Sequence, residues 1–124
     1  MAKIFLGQLS RIIDRATSGR IGDVTVECKH FFSGAAVYAN GRICASLTPV
    51  GFAIKLPKDS RDILLKRRGV KPLRYFAKGP VKKEYVVLPK TLIGDPNGIR
   101  GLLEISVAYV LRSSTRSKRR ALSA

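Results

Sequence analysis

The sequence has few of the residues that metal centres and covalent catalysis use. Its 124 residues include one histidine, His30, and two cysteines, Cys28 and Cys44. Cys28 and His30 would share one face of a predicted strand, and Cys44 could add a third ligand, but zinc sites use closer Cys or His spacing in turns. A cysteine nucleophile needs a base and an orienting third group, and the sequence indicates neither. We therefore predict no metal site, no catalytic residue and no cofactor.

Acidic residues are also scarce, with eight Asp and Glu in the whole chain. Asp59 and Asp62 fall in the predicted first turn of a helix, where negative charge is favourable. Glu84 has no second acid beside it, and we interpret it as a structural carboxylate that anchors a loop or a nearby lysine. The Gly-Arg-Ile-Gly stretch at 19–22 lacks the Lys-Ser/Thr pair of a phosphate-binding loop. The sequence thus predicts a protein that is not an enzyme and has no small-molecule substrate.

Long hydrophobic runs are missing as well. No segment approaches the roughly 20 apolar residues of a membrane span. The N-terminus has a lysine and a short apolar stretch, but charges return at Arg11 and Asp14 and no small-residue cleavage site follows. We expect no membrane contact and a cytoplasmic location, with Cys28 and Cys44 reduced, since disulfides are rare in that compartment.

The chain is instead rich in positive charge. Twenty-four Lys and Arg against eight acids give a net charge of +16. A charge of this size attracts polyanions, and nucleic acid is the commonest such partner. The alternative is that the basic residues only aid solubility.

Two segments hold most of this charge. Residues 55–83 contain 11 basic and two acidic residues, and residues 112–124 contain five basic residues and no acid. Tyr75, Phe76 and Tyr85 lie in or beside the first segment and either stack on bases or anchor the core. No helix-turn-helix, zinc finger or ribonucleoprotein motif is present, so sequence-specific recognition is not indicated. The candidate nucleic-acid-binding residues are Lys66, Arg67, Arg68, Lys71, Arg116, Lys118, Arg119 and Arg120.

Periodicity predicts a helix followed by a meander of strands. Residues 5–17 carry apolar side chains at helical spacing, and residues 24–29 alternate as in a half-buried strand. Asn40-Gly41 predicts a tight hairpin, because both residues accept the positive φ of a type I′ turn. The short connections favour antiparallel pairing. The next strand should bury the side chains of Phe52, Ile54 and Leu56.

The second half of the chain is predicted to contain two helices and a strand. Asp59 or Ser60 is expected to cap a helix that ends near Arg68, with Gly69 as the residue after its C-cap. Residues 70–80 are predicted to form a loop, and 84–88 a strand. Asp95-Pro96 predicts the start of the last helix, whose buried stripe ends near Leu111. We therefore divide the chain into a domain at 1–111 and a basic, disordered tail at 112–124.

Several motifs within these elements follow one another in the same order as in a known protein family. They are F-S-G-A-A-V-Y-A-N-G-R-I-C-A-S-L at 32–47, G-F-A-I-K-L-P-K-D-S-R-D-I-L-L-K-R-R-G at 51–69, Pro72-Leu73, K-K-E-Y-V-V-L-P at 82–89, Asp95-Pro96 and Ala108-Tyr109. In this set the chain resembles the TfoX N-terminal domain (TfoX/Sxy) family over about residues 24–113. Ser33 and Lys82 depart from the family's usual glycine and its frequent methionine.

The resemblance implies both a fold and a kind of function. The expected fold is α+β and similar to secretion chaperones, with helices on one side of a mostly antiparallel sheet. Its expected order is helix, three strands, helix, one or more strands, helix, with a further short N-terminal strand as an option. Because the family is named for a regulator of natural competence in bacteria, the resemblance implies a bacterial regulatory domain.

Two functional hypotheses follow from the sequence. The first is a non-enzymatic regulatory domain whose basic surface contacts nucleic acid. The alternative is a protein-interaction module, for example a homodimer, with no nucleic-acid role. Basic clusters that converge on one face would favour the first, and a contiguous exposed apolar patch would favour the second.

Overall fold

The computed structural model describes residues 2–31, 34–73 and 82–123, and the side chains of 4–31, 34–73 and 84–112. The predictions made for Phe32, Ser33 and residues 74–81, which include Tyr75 and Phe76, lie outside the described residues. In chain order the elements are α1 (Ala2–Thr17), β1 (Arg20–Ile21), β2 (Val24–Phe31), β3 (Gly34–Ala39), β4 (Arg42–Thr48), β5 (Gly51–Lys55), α2 (Lys58–Leu65), β6 (Lys71–Leu73), β7 (Lys82–Leu88), α3 (Lys90–Ile93) and α4 (Pro96–Ser123).

The strands of the described chain form one seven-stranded antiparallel sheet. Its order is β1-β2-β3-β4-β5-β7-β6, and each strand pairs antiparallel with its neighbours. The predicted antiparallel meander and α+β class are therefore confirmed. After β5 the chain passes first to the edge strand β6 and then returns to β7, which lies between β5 and β6.

The hairpin between β3 and β4 has the predicted turn. Asn40 has a φ of 50° and Gly41 a φ of 79°, and Ala39 pairs with Arg42 across them. Two successive residues with positive φ are what a type I′ turn requires, and its twist matches that of the paired strands.

The core lies between one face of the sheet and the helices α1 and α4. Phe52, Ile54 and Leu56 are fully buried, as predicted. In the sheet register Phe52 stands between Leu47 and Leu88, so neighbouring strands present apolar side chains in one row. The helices complete this core with buried side chains that include Leu9 and Ile13 of α1, and Ile99 and Leu103 of α4.

The helix α2 differs from its prediction at both ends. Its N-cap is Pro57 and no side chain caps it, so the cap predicted at Asp59 or Ser60 is wrong. The helix ends at Leu65 with Lys66 as C-cap. Gly69 does have the left-handed conformation expected of it, with a φ of 87°, but it closes the turn that follows the helix rather than the helix itself.

Three short elements escaped the sequence patterns. They are β1, β6 and α3, and β6 lies in the segment predicted as loop. Elements of two to four residues are too short to display a period. Their pairing comes from the tertiary fold, as where Lys71 of β6 meets Val87 of β7.

The last helix begins where predicted and continues further. Pro96 is its first residue, and the Ile99 N–H donates to the Asp95 carbonyl at 3.0 Å. The helix runs to Ser123, whereas the sequence prediction ended it near Leu111 and made 112–124 a disordered tail. Residues 112–123 contain no Gly or Pro and several Lys and Arg, which are good helix formers. The division of the chain at 111 into a domain and a tail stays a prediction. Within the described chain, no helix combines the length and apolar character that crossing a membrane requires.

Candidate functional site

Four of the predicted basic residues lie together at the connection between α2 and β6. Lys66, Arg67, Arg68 and Lys71, here named the basic cluster, are all exposed. The first three follow α2 directly, and Lys71 opens the edge strand β6. The structure thus brings one predicted group of cations to one edge of the sheet.

The turn that carries the basic cluster is well anchored. The N–H of Arg67 donates to the Leu64 carbonyl at 2.9 Å, and the buried side chains of Leu64 and Val70 hold the turn on both sides. Gly69 packs so closely that a Cβ there would lie 2.9 Å from Cβ of Pro89. The connection is therefore fixed while its long cationic side chains project into solvent.

The basic cluster has no acidic partner within the described chain. The ion pairs found there are Lys29–Glu27, Lys55–Glu84 and Arg100–Glu104, and none of them includes a cluster residue. Cations after a helix C-terminus are favoured by the helix dipole, which alone would account for two or three of them. Lys71 stands apart from that explanation because it belongs to a strand.

The second group of predicted cations belongs to the C-terminal part of the chain. Arg116, Lys118, Arg119 and Arg120 fall within the bounds of α4, but their side chains lie outside the described residues. Of the predicted stacking aromatics, Tyr85 is half-buried on β7, opposite Lys55 of β5.

Glu84 is the centre of a polar group that joins β5, β7 and α4. Tyr109 donates a hydrogen bond from its hydroxyl to Oε1 of Glu84 at 2.6 Å, and Nζ of Lys55 lies 3.4 Å from Oε2. The predicted pairing of Glu84 with a nearby lysine is confirmed. Tyr109 was missed as a partner, because it lies 25 positions away and no local pattern links the two residues.

The electrostatics of this polar group are those of a structural contact. The hydrogen bond from Tyr109, together with Lys55 and Arg61, lowers the pKa of Glu84, and Glu84 in turn raises the pKa of Tyr109. Glu84 therefore stays ionised and Tyr109 stays protonated near pH 7. Proton transfer is most efficient when a group titrates near the working pH, so neither is suited to acid–base catalysis.

Arg61 adds a second cation beside Glu84. Its Nη1 is buried and has no hydrogen-bond partner within the described part of the chain. It acts on the pKa of both Glu84 and Tyr109 through charge alone. Arg61 thus reinforces the ionised state of the carboxylate.

The two thiols are unsuited to nucleophilic chemistry at neutral pH. Burial raises the pKa of Cys44 to about 11, and burial also raises the pKa of the half-buried Cys28. Both are free thiols in the structure. His30 is exposed on β2, and among the described residues no three His, Cys, Asp or Glu side chains are grouped as metal ligands. The thiolate is the reactive form of cysteine, and here it is disfavoured.

Comparison with known families identifies the family of the chain. The family model for the TfoX N-terminal domain matches residues 20–109. The chain belongs to the TfoX N-terminal domain family. The matched span includes the whole sheet, the basic cluster, Glu84 and Tyr109, and it leaves out α1 and the end of α4. A search of curated proteins finds no match.

Proposed function

We propose that this TfoX N-terminal domain is a non-enzymatic regulatory domain of the bacterial cytoplasm that contacts nucleic acid through the basic cluster. The observation that carries the proposal is the exposure of Lys66, Arg67, Arg68 and Lys71 on one anchored turn, without acidic partners in the described chain. The regulatory role is supported by the family, which takes its name from a regulator of competence.

Phosphate contacts suit the basic cluster better than base contacts do. Neutralising phosphates with Lys and Arg releases counterions and supplies most of non-specific affinity. The cluster lies on a turn and a three-residue strand, whereas reading bases requires an element that enters a groove. Binding should therefore be weak, strongly salt-dependent and nearly independent of sequence.

The alternative of a homodimer built through a sheet edge has little support. The edge strand β6 carries Lys71 and Pro72, and proline cannot donate to a further strand. The opposite edge, β1, has two residues and begins with Arg20. Short strands, lysine and proline are the features that protect edges against pairing. A protein partner would have to use another surface.

The test compares two variants that lose equal charge. Lys66, Arg68 and Lys71 are changed to Gln in the first, and the exposed Arg11, Arg15 and Arg20 on α1 and β1 are changed to Gln in the second. Fluorescence anisotropy then follows the binding of random duplex and single-stranded oligonucleotides at several salt concentrations. Only the cluster variant should bind more weakly, and its slope of log K against log salt should flatten by up to about 2.7 on duplex DNA.

Two outcomes would reject the proposal. One is the absence of binding at low salt, where electrostatic attraction is least screened. The other is an equal loss in the two variants, which would mean that the protein binds through its overall charge and has no site. A difference between oligonucleotide sequences would instead reject the expectation of non-specific contact, since phosphate contacts carry no base information.

A further inference from the structure

A groove lies between α2, α3 and the first turns of α4. Its volume is about 330 Å³, and its apolar lining consists of Leu64, Leu92, Leu102 and Ile105. Gly98 and Gly101 of α4 also line it. A Cβ at Gly101 would meet no atom within 4 Å, so the wall of the groove is open there.

The groove is lined by a side of α4 that adjoins the side facing the core. The core-facing side, which includes Ile99 and Leu103, is buried. Gly98, Gly101, Leu102 and Ile105 are spaced by three, four and seven positions and therefore lie on one side of the helix. On this side Leu102 is partly buried against the core, whereas Ile105 is exposed, so Ile105 and the two glycines present the surface that is available for another contact.

Large aliphatic side chains are exposed on the helices that form this groove. Five large hydrophobic residues are exposed in the described chain, and three of them belong to α2 or α4: Ile63 at 66%, Leu65 at 39% and Ile105 at 40%. Single exposed apolar residues are ordinary, and of these three only Ile105 lines the groove. An exposed aliphatic side chain beside an apolar opening is typical of an interaction surface.

We propose that the α2–α4 groove binds the apolar face of an amphipathic helix whose flank is acidic, supplied by a partner protein. Such helices place side chains at i, i+3, i+4 and i+7 into aliphatic grooves. Arg67 lines the groove, and its neighbours Lys66 and Arg68 are exposed and unpaired within the described chain. Asp95 is the one acid among the described lining residues. The surplus of cations favours an acidic flank.

Charge and chemistry disfavour the other occupants. Two copies of a chain with a net charge of +16 repel each other, which opposes a dimer through this groove. Bases of single-stranded nucleic acid stack on aromatic rings, but none of the described residues that line the groove is aromatic. Aliphatic side chains of a protein helix match this lining best. Both proposals use cations of the basic cluster, but only helix binding requires the aliphatic lining of the groove.

The experiment uses synthetic helices of about 15 residues, long enough to be helical when bound. The first probe has leucines on one face and glutamates elsewhere, the second has lysines in place of the glutamates, and the third has the composition of the first with its leucines scattered. Labelled probes are titrated with the full chain by fluorescence anisotropy, and amide NMR shifts map the contact. We expect the acidic amphipathic probe to bind best and to shift Gly98, Gly101 and Ile105.

Variants show whether the groove is the site. Gly101→Leu fills it and Ile105→Lys places a charge in it, and each should weaken binding of the acidic probe by about tenfold or more. Gly7→Leu is the matched control, because Gly7 also has nothing within 4 Å of a Cβ but lies on α1, away from the groove. Arg67→Glu should shift the preference towards the lysine probe. Circular dichroism verifies that each variant is folded.

Several results would overturn the inference. They are equal binding of the three probes, binding that neither Gly101→Leu nor Ile105→Lys weakens, and a preference of the unmodified chain for the lysine probe. A concentration-dependent dimer in sedimentation that Gly101→Leu dissociates would assign the groove to a second copy. Gly101→Leu leaves the basic cluster intact, so it tests helix binding without altering the cations proposed to contact nucleic acid, and failure of one proposal can be told from failure of the other.

Discussion

Tyr109 and Glu84 are 25 positions apart in sequence, and a hydrogen bond of 2.6 Å joins them across the boundary between α4 and β7. With Lys55 at 3.4 Å from the same carboxylate, the bond connects the last helix to two strands of the sheet. This contact fixes the middle of α4 to the sheet through a charged group. It also provides a direct link between stability and pH.

Tyr109→Phe should destabilise the protein by about 0.5–1 kcal/mol at pH 7, a small effect because solvent screens a half-exposed carboxylate. The folded state lowers the pKa of Glu84, so its contribution is present above the ordinary pKa of a glutamate and is lost as pH falls through the lowered value. The folded state raises the pKa of Tyr109, so that contribution is present below the ordinary pKa of a tyrosine and is lost as pH rises through the raised value.

Urea denaturation of the two proteins across the pH range measures this difference. The free energies of unfolding should differ on a plateau between about pH 5 and pH 9 and converge on both sides of it. Glu84→Gln provides the control, because it removes the charge but keeps the shape. A difference that persists unchanged at pH 3 would show that lost packing of the phenol, rather than the hydrogen bond, is responsible.

Cys44 should be almost unreactive towards a thiol reagent in the folded protein. Burial raises the pKa of its thiol to about 11, so the thiolate is scarce at pH 7 and access is blocked. Half-buried Cys28 should react first, and more slowly than an unfolded thiol. The Cys28→Ser variant isolates Cys44, and its labelling rate is followed with and without urea. Rapid labelling of Cys44 without denaturant would contradict the burial of β4.

Two glycine substitutions should have opposite effects on stability. A Cβ at Gly34 would overlap the Leu47 carbonyl oxygen of the paired strand, so Gly34→Ala should cost several kcal/mol or prevent folding. Gly101 lies in a helix with open space around it, so Gly101→Ala should stabilise the protein by about 0.5–1 kcal/mol. Gly98→Ala, whose Cβ would lie 2.9 Å from Oδ2 of Asp95, should gain less. Thermal melting of the three variants ranks them, and an order other than this one would contradict the packing described.

Local signals in the sequence are enough to predict much of the sheet. Asn40-Gly41 sets the hairpin because few residue pairs accept two positive φ angles, and the burial of Phe52, Ile54 and Leu56 follows from a period of two. The strands β1 and β6 were not predictable in this way, because two or three residues owe their conformation to a paired neighbour. The cap of α2 was mispredicted because Pro57 starts the helix before the polar residues that favour caps.

Of the two candidate sites, one could be predicted from local sequence signals and the other could not. The basic cluster could be predicted, because its residues are neighbours in sequence and a short turn keeps them so. The groove could not, since its lining comes from three helices between Leu64 and Ile105. From the sequence alone, Gly98 and Gly101 are expected only to weaken the first turns of the helix. Only the fold shows that they leave one of its faces open.

Removal of residues 112–124 should leave the domain folded, because the apolar stripe in the sequence of α4 ends near Leu111 and Val110 is the last buried side chain among those described on this helix. The melting temperature of the truncated chain should stay within a few degrees of the full chain, and a larger drop would mean that the end of α4 packs on the domain. Truncation also removes Arg116, Lys118, Arg119 and Arg120, four of the predicted nucleic-acid-binding residues.

The salt dependence of the truncated chain then separates the two groups of cations. If only the basic cluster contacts phosphates, truncation should leave the slope of log K against log salt unchanged, and adding the Lys66, Arg68 and Lys71 substitutions should flatten it. If both groups contact the same duplex, each change should flatten the slope, and the two effects should add. If truncation alone abolishes the salt dependence of binding, the phosphate contact lies at the end of α4 and not at the basic cluster. That result would leave the exposed cluster beside the groove free to meet the acidic flank of a partner helix.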